Sequence, residues 1–120
     1  MKPVAKEDEL LRMLLGVAPF ALRDMRIFRR PIINGRMAAG WWARAGEPGQ
    51  ADAYALCRGG RHIELECKAA HGKWYAEQLA WRAFCQSFDV PYLVLRAEAR
   101  ELPALTVERW VHEIRKVAEG

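Results

Sequence analysis

Residues 61–69 read RHIELECKA, and this stretch decides the fold because apolar and charged side chains alternate along it. An extended strand turns alternate side chains to opposite faces. The apolar set is Ile63, Leu65 and Cys67, and the charged set is Glu64, Glu66 and Lys68. The alternation therefore predicts a strand with one face in a core and one charged face that is either solvated or functional.

The segments on both sides of this strand predict a single α/β domain over residues 1–120. The predicted elements are a helix over 5–25 with a break near 16–19, a strand over 26–33 ending at an Asn34-Gly35 turn, a loop over 36–50, strands over 51–57 and 61–69, a helix over 73–88, a strand over 90–96, and a last helix capped by Thr106. A strand, a crossover helix and a second strand imply a parallel pair. We expect a mixed sheet flanked by helices, with an extra C-terminal helix.

The composition excludes several classes of protein. The chain has 120 residues, of which 52% are hydrophobic and 28% are charged, and this balance is typical of a globular domain and excludes general disorder. No apolar run is long enough to cross a membrane. The 19 basic and 15 acidic residues give a net charge of +4, which permits an anionic partner without requiring one.

The cysteines and the first residues indicate a reducing compartment. The three cysteines are widely spaced and form no C-x-x-C pair, so neither a disulfide framework nor a structural zinc site is expected. The first residues show no apolar segment behind a basic start, as a secretory signal would. These features predict a cytoplasmic protein.

Four polar residues form the combination that carries chemistry. Glu66 and Lys68 leave the same face of the central strand, and Asp52 opens an otherwise apolar strand after a Pro-Gly-containing loop. Gln78 lies on the apolar stripe of the next helix, where a polar group requires a partner. Carboxylate oxygens suit Mg²⁺ or Mn²⁺, and a lysine can hold a water or the charge that develops on phosphorus. The alternative is a solvated charged face.

Two glycine-containing segments extend this combination. Gly49 stands three positions before Asp52, and Gly72-Lys73 follows the central strand. With them, the chain resembles the PD-(D/E)xK nuclease superfamily over residues 5–97, and most closely its small stand-alone VRR-Nuc type of phages and prophages. The resemblance implies a restriction-endonuclease-like αβββαβ core and a metal-dependent endonuclease that hydrolyses DNA.

The resemblance also implies a role for each site residue. Asp52 and Glu66 would ligate Mg²⁺ or Mn²⁺, with the backbone carbonyl of Cys67 as a further ligand. Lys68 would orient the attacking water, and Gln78 would lie beside the site and hold the catalytic face or the phosphate.

An acid on the first helix often completes such sites. Glu7 fits best because it is in phase with the apolar stripe of that helix, and Glu9 is the alternative. The basic residues that we expect to contact DNA phosphates are Arg29, Arg30, Arg36 and Lys73. Solvated charges at a strand end are the alternative for the arginines.

The resemblance further implies the partners. We expect DNA as substrate, with a preference for branched or four-way junction DNA, a homodimer, no membrane, and the cytoplasm of a bacterial or phage-infected host cell. The apolar face of the last helix around Trp110 is either core or a dimer seam. A sequence-specific or RNA-directed nuclease is one alternative, and a non-catalytic nucleic-acid-binding or assembly module on the same fold is another.

The turn between the two central strands provides a geometric test. A two-residue Gly59-Gly60 turn would set Asp52 opposite Cys67 and send it away from the face that carries Glu66. The functional interpretation therefore requires an odd-length connection, such as a three-residue turn with Gly60 in the left-handed region, or a bulge near Asp52.

Overall fold

The structure is a computed structural model. It describes residues 6–30, 34–36, 42–44 and 49–120, and for 34–36 and 42–44 it describes the backbone alone. The helices in these ranges are α1 (Glu7–Ala21), α2 (Ala76–Ser87) and α3 (Pro103–Glu119). The strands are β1 (Met25–Arg29), β2 (Asn34–Arg36), β3 (Trp42–Arg44), β4 (Ala53–Cys57), β5 (His62–Lys68) and β6 (Tyr92–Arg96).

A mixed sheet with the strand order β1-β4-β5-β6 organises the domain. β4 pairs antiparallel with both β1 and β5, whereas β5 and β6 run parallel. The parallel pair needs a crossover connection, and α2 supplies it. α3 follows β6 as an additional C-terminal helix. This arrangement is the αβββαβ core with a mixed sheet that the sequence predicts, so the predicted fold class is confirmed.

The hydrophobic core lies between one face of this sheet and the helices α1 and α3. Ile63, Leu65 and Cys67 are fully buried on that face, as their alternation predicts. Other core side chains are Leu10, Leu11, Leu14, Leu95, Val107 and Ile114. Trp110 also belongs to this core and has no exposed surface, so its face of α3 is core rather than a dimer seam. Each fully buried large apolar side chain contributes about 1.5–3 kcal/mol.

The helices differ from prediction at two points. α1 continues through Gly16 and Pro19, so the predicted break is wrong. Pro19 lies in the last turn of α1, where its missing N–H costs a single hydrogen bond and the helix ends soon afterwards. α3 begins at Pro103, which suits a first helical position, and Thr106 is therefore inside the helix rather than its cap. No helix in the described ranges is long and apolar enough to cross a membrane.

The region after β1 also differs from prediction. Asn34 and Gly35 belong to β2 rather than to a hairpin turn, and β3 lies within the segment predicted as a loop. These strands pair antiparallel with each other, with Asn34 opposite Arg44, and they form a separate two-stranded sheet. Single-sequence patterns describe such short strands poorly because three residues carry too little periodicity.

Candidate active site

The turn between β4 and β5 decides which side chains share a face. The register pairs Ala53 with Leu65. The Cys57 N–H donates to the Arg61 carbonyl at 2.8 Å, so the three residues Arg58–Gly60 form the turn. Gly59 has φ 83° and Gly60 has φ 80°, a left-handed region that favours glycine. The predicted odd-length turn is therefore confirmed. One step beyond Ala53, the same register sets Asp52 opposite Glu66, and the two side chains leave the same face of the sheet.

Asp52 is held in place by the strand that it faces and by the loop that precedes it. Its Oδ2 accepts a hydrogen bond from the backbone N–H of Cys67 at 2.8 Å. Gly49, three residues before Asp52, packs on the start of α2, where a Cβ on this glycine would lie 2.1 Å from the carbonyl oxygen of Glu77. Gly49 also has φ 81°, so this position requires glycine for two reasons. The glycine of the sequence motif thus brings the Asp52 loop against α2.

Glu66 is a buried carboxyl group whose hydrogen bonding is incomplete. Its residue is 1% exposed, and Oε2 has no hydrogen-bond partner in the described part of the chain. Burial, followed by the nearby negative charge of Asp52, raises the pKa of Glu66 to about 8. Burial also raises the pKa of Asp52. Burial disfavours the charged form of both groups, and a cation beside them would offset this cost.

Lys68 and Gln78 form a second, well-ordered half of the site. Lys68 is 1% exposed, and its Nζ donates to the carbonyl oxygen of Lys73 and to Gln78 Oε1, both at 2.7 Å. Gln78 Nε2 donates to Glu66 Oε1 at 3.2 Å. The Lys68 ammonium also lies 4.8 Å from the centre of the Trp74 ring. Gln78 therefore links the lysine to the carboxylate, while Lys68 Nζ and Glu66 Oε1 remain 3.9 Å apart.

Glu7, at the start of α1, lies beside the same end of β5. Its Oε1 accepts a hydrogen bond from the backbone N–H of Ala69 at 3.1 Å. A Cβ on Gly72 would lie 2.8 Å from this oxygen, so the glycine leaves room for the carboxylate. After burial, the charge of Glu7 contributes to the raised pKa of Asp52. Glu9 is exposed, and of the two candidate acids the structure brings Glu7 to the site.

The basic residues predicted to contact DNA lie in different environments. Arg29 pairs with Asp8 of α1, whereas Arg30 makes two hydrogen bonds to Glu64, at 2.6 and 2.7 Å. A phosphate at Arg30 would compete with that carboxylate. Lys73 is exposed near the site. The side chain of Arg36 lies outside the described part of the chain. A role for these residues in DNA binding stays a prediction.

Glu64 is a residue whose structural role sequence reasoning missed. Glu64 is 1% exposed. Its carboxylate accepts hydrogen bonds from Nη1 and Nη2 of Arg30 and from Trp81 Nε1, the last at 2.8 Å. His62 Nε2 also contacts Glu64 Oε2. Burial alone would raise the pKa of Glu64, but the hydrogen bonds from Arg30, His62 and Trp81 lower it. The sequence did show an acid between the two apolar residues Ile63 and Leu65, which could have indicated that Glu64 is buried and paired. The partners of Glu64 are distant in sequence, so they could not be assigned.

The donor set is compatible with a hard divalent cation. In the described ranges, no three His, Cys, Asp or Glu side chains are grouped as a complete metal site. Mg²⁺, however, is commonly held by one or two carboxylates together with water. The Cys67 N–H points to Asp52, and in an extended strand the carbonyl of the same residue points the same way. The carboxylates of Asp52 and Glu66, the latter with its unpartnered Oε2, and this carbonyl therefore fit Mg²⁺ or Mn²⁺.

No protein-family model matches this chain, and no curated protein matches it either.

Proposed function

We propose that this chain is a metal-dependent endonuclease that hydrolyses phosphodiester bonds in DNA, of the PD-(D/E)xK type that its motif resembles. One observation carries the proposal. The half-buried Asp52 and the buried Glu66 face each other beside the buried Lys68, and one oxygen of Glu66 has no hydrogen-bond partner in the described residues. A site that only stabilised the fold would be expected to satisfy such an atom.

Asp52 and Glu66 would hold Mg²⁺ or Mn²⁺, with the Cys67 carbonyl as a third protein ligand. The bound cation would supply Lewis-acid activation of water and of the phosphate. The protein favours a cation there because burial raises the pKa of both carboxyl groups, and the charge of Asp52 raises that of Glu66 further. Glu7 adds negative charge from the side of α1, and its carboxylate is held by the Ala69 N–H.

Lys68 would act on the attacking water and on the charge that develops at phosphorus. An ammonium group has three donors, and two of those of Lys68 are directed to Lys73 and Gln78. The remaining donor would serve the attacking water, and Glu66 Oε1 lies 3.9 Å from the ammonium nitrogen. Gln78 bonds to both groups and would keep this lysine and Glu66 at a fixed separation.

We further propose the biological setting that the resemblance implies. The chain would act as a homodimer in the cytoplasm, with branched DNA as its preferred substrate. A two-fold symmetric enzyme presents two sites and can cut both strands of a branch. The buried Trp110 face of α3 is not available for this dimer, so another surface would form it.

The direct test is a cleavage assay on supercoiled plasmid and on a synthetic four-way junction, with Mg²⁺, Mn²⁺ or EDTA. We expect cleavage with either metal and none with EDTA. Glu66→Gln removes the charge of a ligand and keeps its shape, so it should abolish cleavage while folding and DNA binding persist.

Glu9→Gln is the matched control, because it is the same substitution at an exposed acid away from the site. It should cleave like the parent. Cleavage by Glu66→Gln at a comparable rate would contradict the metal site. DNA binding without cleavage under every metal condition would instead favour a non-catalytic nucleic-acid-binding module.

A further inference from the structure

Two buried side-chain polar atoms lack a hydrogen-bond partner in the described residues: Glu66 Oε2 and the hydroxyl oxygen of Tyr92. Buried polar groups in native proteins are nearly always paired with protein or with ordered water, so each such atom calls for an explanation. A cation at the proposed metal site would account for Glu66 Oε2. It would leave the Tyr92 hydroxyl proton unpaired.

The sheet places these two groups on the same face. In the parallel register of β5 and β6, Tyr92 lies opposite Glu64 and Val94 lies opposite Glu66. Tyr92 is thus the diagonal neighbour of Glu66, and diagonal neighbours lie about 7–8 Å apart, within reach of a long aromatic side chain. α2 covers the ring from above, with the Arg82 guanidinium 5.7 Å from the ring centre.

Of the two acids on this face, Glu66 is the one with an oxygen that lacks a hydrogen-bond partner in the described residues. Glu64 already accepts hydrogen bonds from Arg30 and Trp81 and contacts His62. After burial, the charge of Glu66 is the largest contribution that raises the pKa of Tyr92. Because Glu64 is already paired and Glu66 has an unused oxygen on the same face, Glu66 is the carboxylate left for the Tyr92 hydroxyl.

We propose that the Tyr92 hydroxyl and Glu66 Oε2 border a small internal site that binds one water molecule, and that Tyr92 is a positioning residue for the Glu66 carboxylate. The water accepts from the hydroxyl and donates to Oε2, which satisfies both atoms. Gln78 Nε2 already donates to Oε1, so both oxygens of Glu66 would then be restrained. A carboxylate oxygen has two lone pairs, so Oε2 can accept from this water and still face a cation.

This inference rests on the proposed function only for its consequence for metal binding. Hydrogen bonds to a metal ligand orient it, and losing one typically lowers metal affinity by about 10–100-fold. Tyr92→Phe removes the hydroxyl and keeps the ring. We expect it to weaken Mn²⁺ binding about 10-fold by titration calorimetry. Because Tyr92 would touch neither substrate nor cation, kcat at saturating Mn²⁺ should stay within about twofold of the parent.

A double-mutant cycle tests the link without metal. Melting temperatures are measured in EDTA for the parent, Tyr92→Phe, Glu66→Gln and the double variant. We expect Tyr92→Phe to change the melting temperature by different amounts in the parent and in Glu66→Gln, with a difference of about 2 °C or more. The reason is that substitutions within one hydrogen-bonded network do not have additive effects. Tyr54→Phe is the matched control. Tyr54 stacks between Phe28 and His62, and its effect should be additive with Glu66→Gln.

The outcomes separate the two proposals. Additive melting temperatures for Tyr92→Phe and Glu66→Gln would overturn the shared water site, and so would unchanged Mn²⁺ affinity in Tyr92→Phe if the parent binds Mn²⁺. If the parent binds no Mn²⁺, the proposed function fails, and the cycle in EDTA still decides whether Tyr92 and Glu66 share a ligand.

Discussion

Glu64 and Glu66 stand two positions apart on the same face of β5, and each is 1% exposed. Their environments are opposite. Glu64 receives two hydrogen bonds from Arg30 and one from Trp81, and its pKa is lowered because these bonds and the contact with His62 outweigh its burial. Glu66 keeps an oxygen without a partner among the described residues, and burial and the charge of Asp52 raise its pKa to about 8.

The difference separates a carboxylate that supports the fold from one that is available to a ligand. Arg30, the main partner of Glu64, also donates from its guanidinium to the Ala51 carbonyl and from its backbone N–H to the Asp52 carbonyl. The satisfied carboxylate thus fixes the backbone that carries Asp52 opposite Glu66. The paired carboxylate of Glu64 thus helps to position Asp52 opposite Glu66, whose own hydrogen bonding is incomplete among the described residues.

The largest expected effect comes from removing the partner of Glu64. Arg30→Ala leaves a buried carboxylate without its paired charge, and this change should destabilise the protein by about 3–5 kcal/mol. Urea unfolding followed by circular dichroism measures it.

Arg29→Ala is the control for this change. Arg29 pairs with Asp8, and both side chains are more than 40% exposed, at 44% and 42%. Removing a pair of this kind should cost about 1 kcal/mol or less. Equal destabilisation by the two substitutions would show that Glu64 does not depend on Arg30.

The next effect concerns the lysine beside Glu66. Lys68→Ala should lower DNA cleavage by about 100-fold or more, because the group that serves the water and the developing charge is lost. Mn²⁺ affinity, measured by calorimetry, should stay within about threefold, since the ammonium is not a ligand. Lys116→Ala on the exposed side of α3 should change neither quantity. A loss of Mn²⁺ affinity as large as that of Asp52→Asn would contradict the separate roles.

A smaller effect is expected in the pH dependence of metal-free protein. The pKa of Glu66 in the folded state, about 8, lies above its ordinary value of 4.5, so between these values the folded chain holds a proton that the unfolded chain has released. Stability in EDTA should therefore fall by about 1–3 kcal/mol as the pH rises from about 5 to about 8. Glu66→Gln should remove this component. Urea unfolding at both pH values measures this change. An equal change in unfolding free energy for the parent and Glu66→Gln would contradict the assignment to Glu66.

The fold was predictable where local patterns carry it. The period-two alternation around Leu65 predicts β5 and its buried face, and the requirement that Asp52 meet Glu66 predicts an odd turn, which the glycines at 59 and 60 provide. The helical position of Gln78 follows from its place on an apolar stripe. These features depend on neighbours within one element or one turn, which a sequence displays directly.

The environment of Glu64 could not be predicted for the opposite reason. Its partner Arg30 is 34 residues away and Trp81 is 17 residues away, so only the assembled sheet and α2 bring them together. The same holds for Tyr92, which only the register of β5 and β6 places diagonally from Glu66. The unbroken helix through Pro19 is a further case, because tertiary packing of α1 outweighs a local breaker.

The melting temperature as a function of Mn²⁺ concentration tests the metal site most directly. A cation that binds the folded chain stabilises it by mass action, and at 100 times its Kd the gain is about 2.7 kcal/mol. We expect the melting temperature of the parent to rise by about 5 °C or more, to return to its starting value with EDTA, and to stay unchanged in Glu66→Gln. A parent that melts at the same temperature with and without millimolar Mn²⁺, or an equal rise in Glu66→Gln, would contradict a metal centre at Asp52 and Glu66.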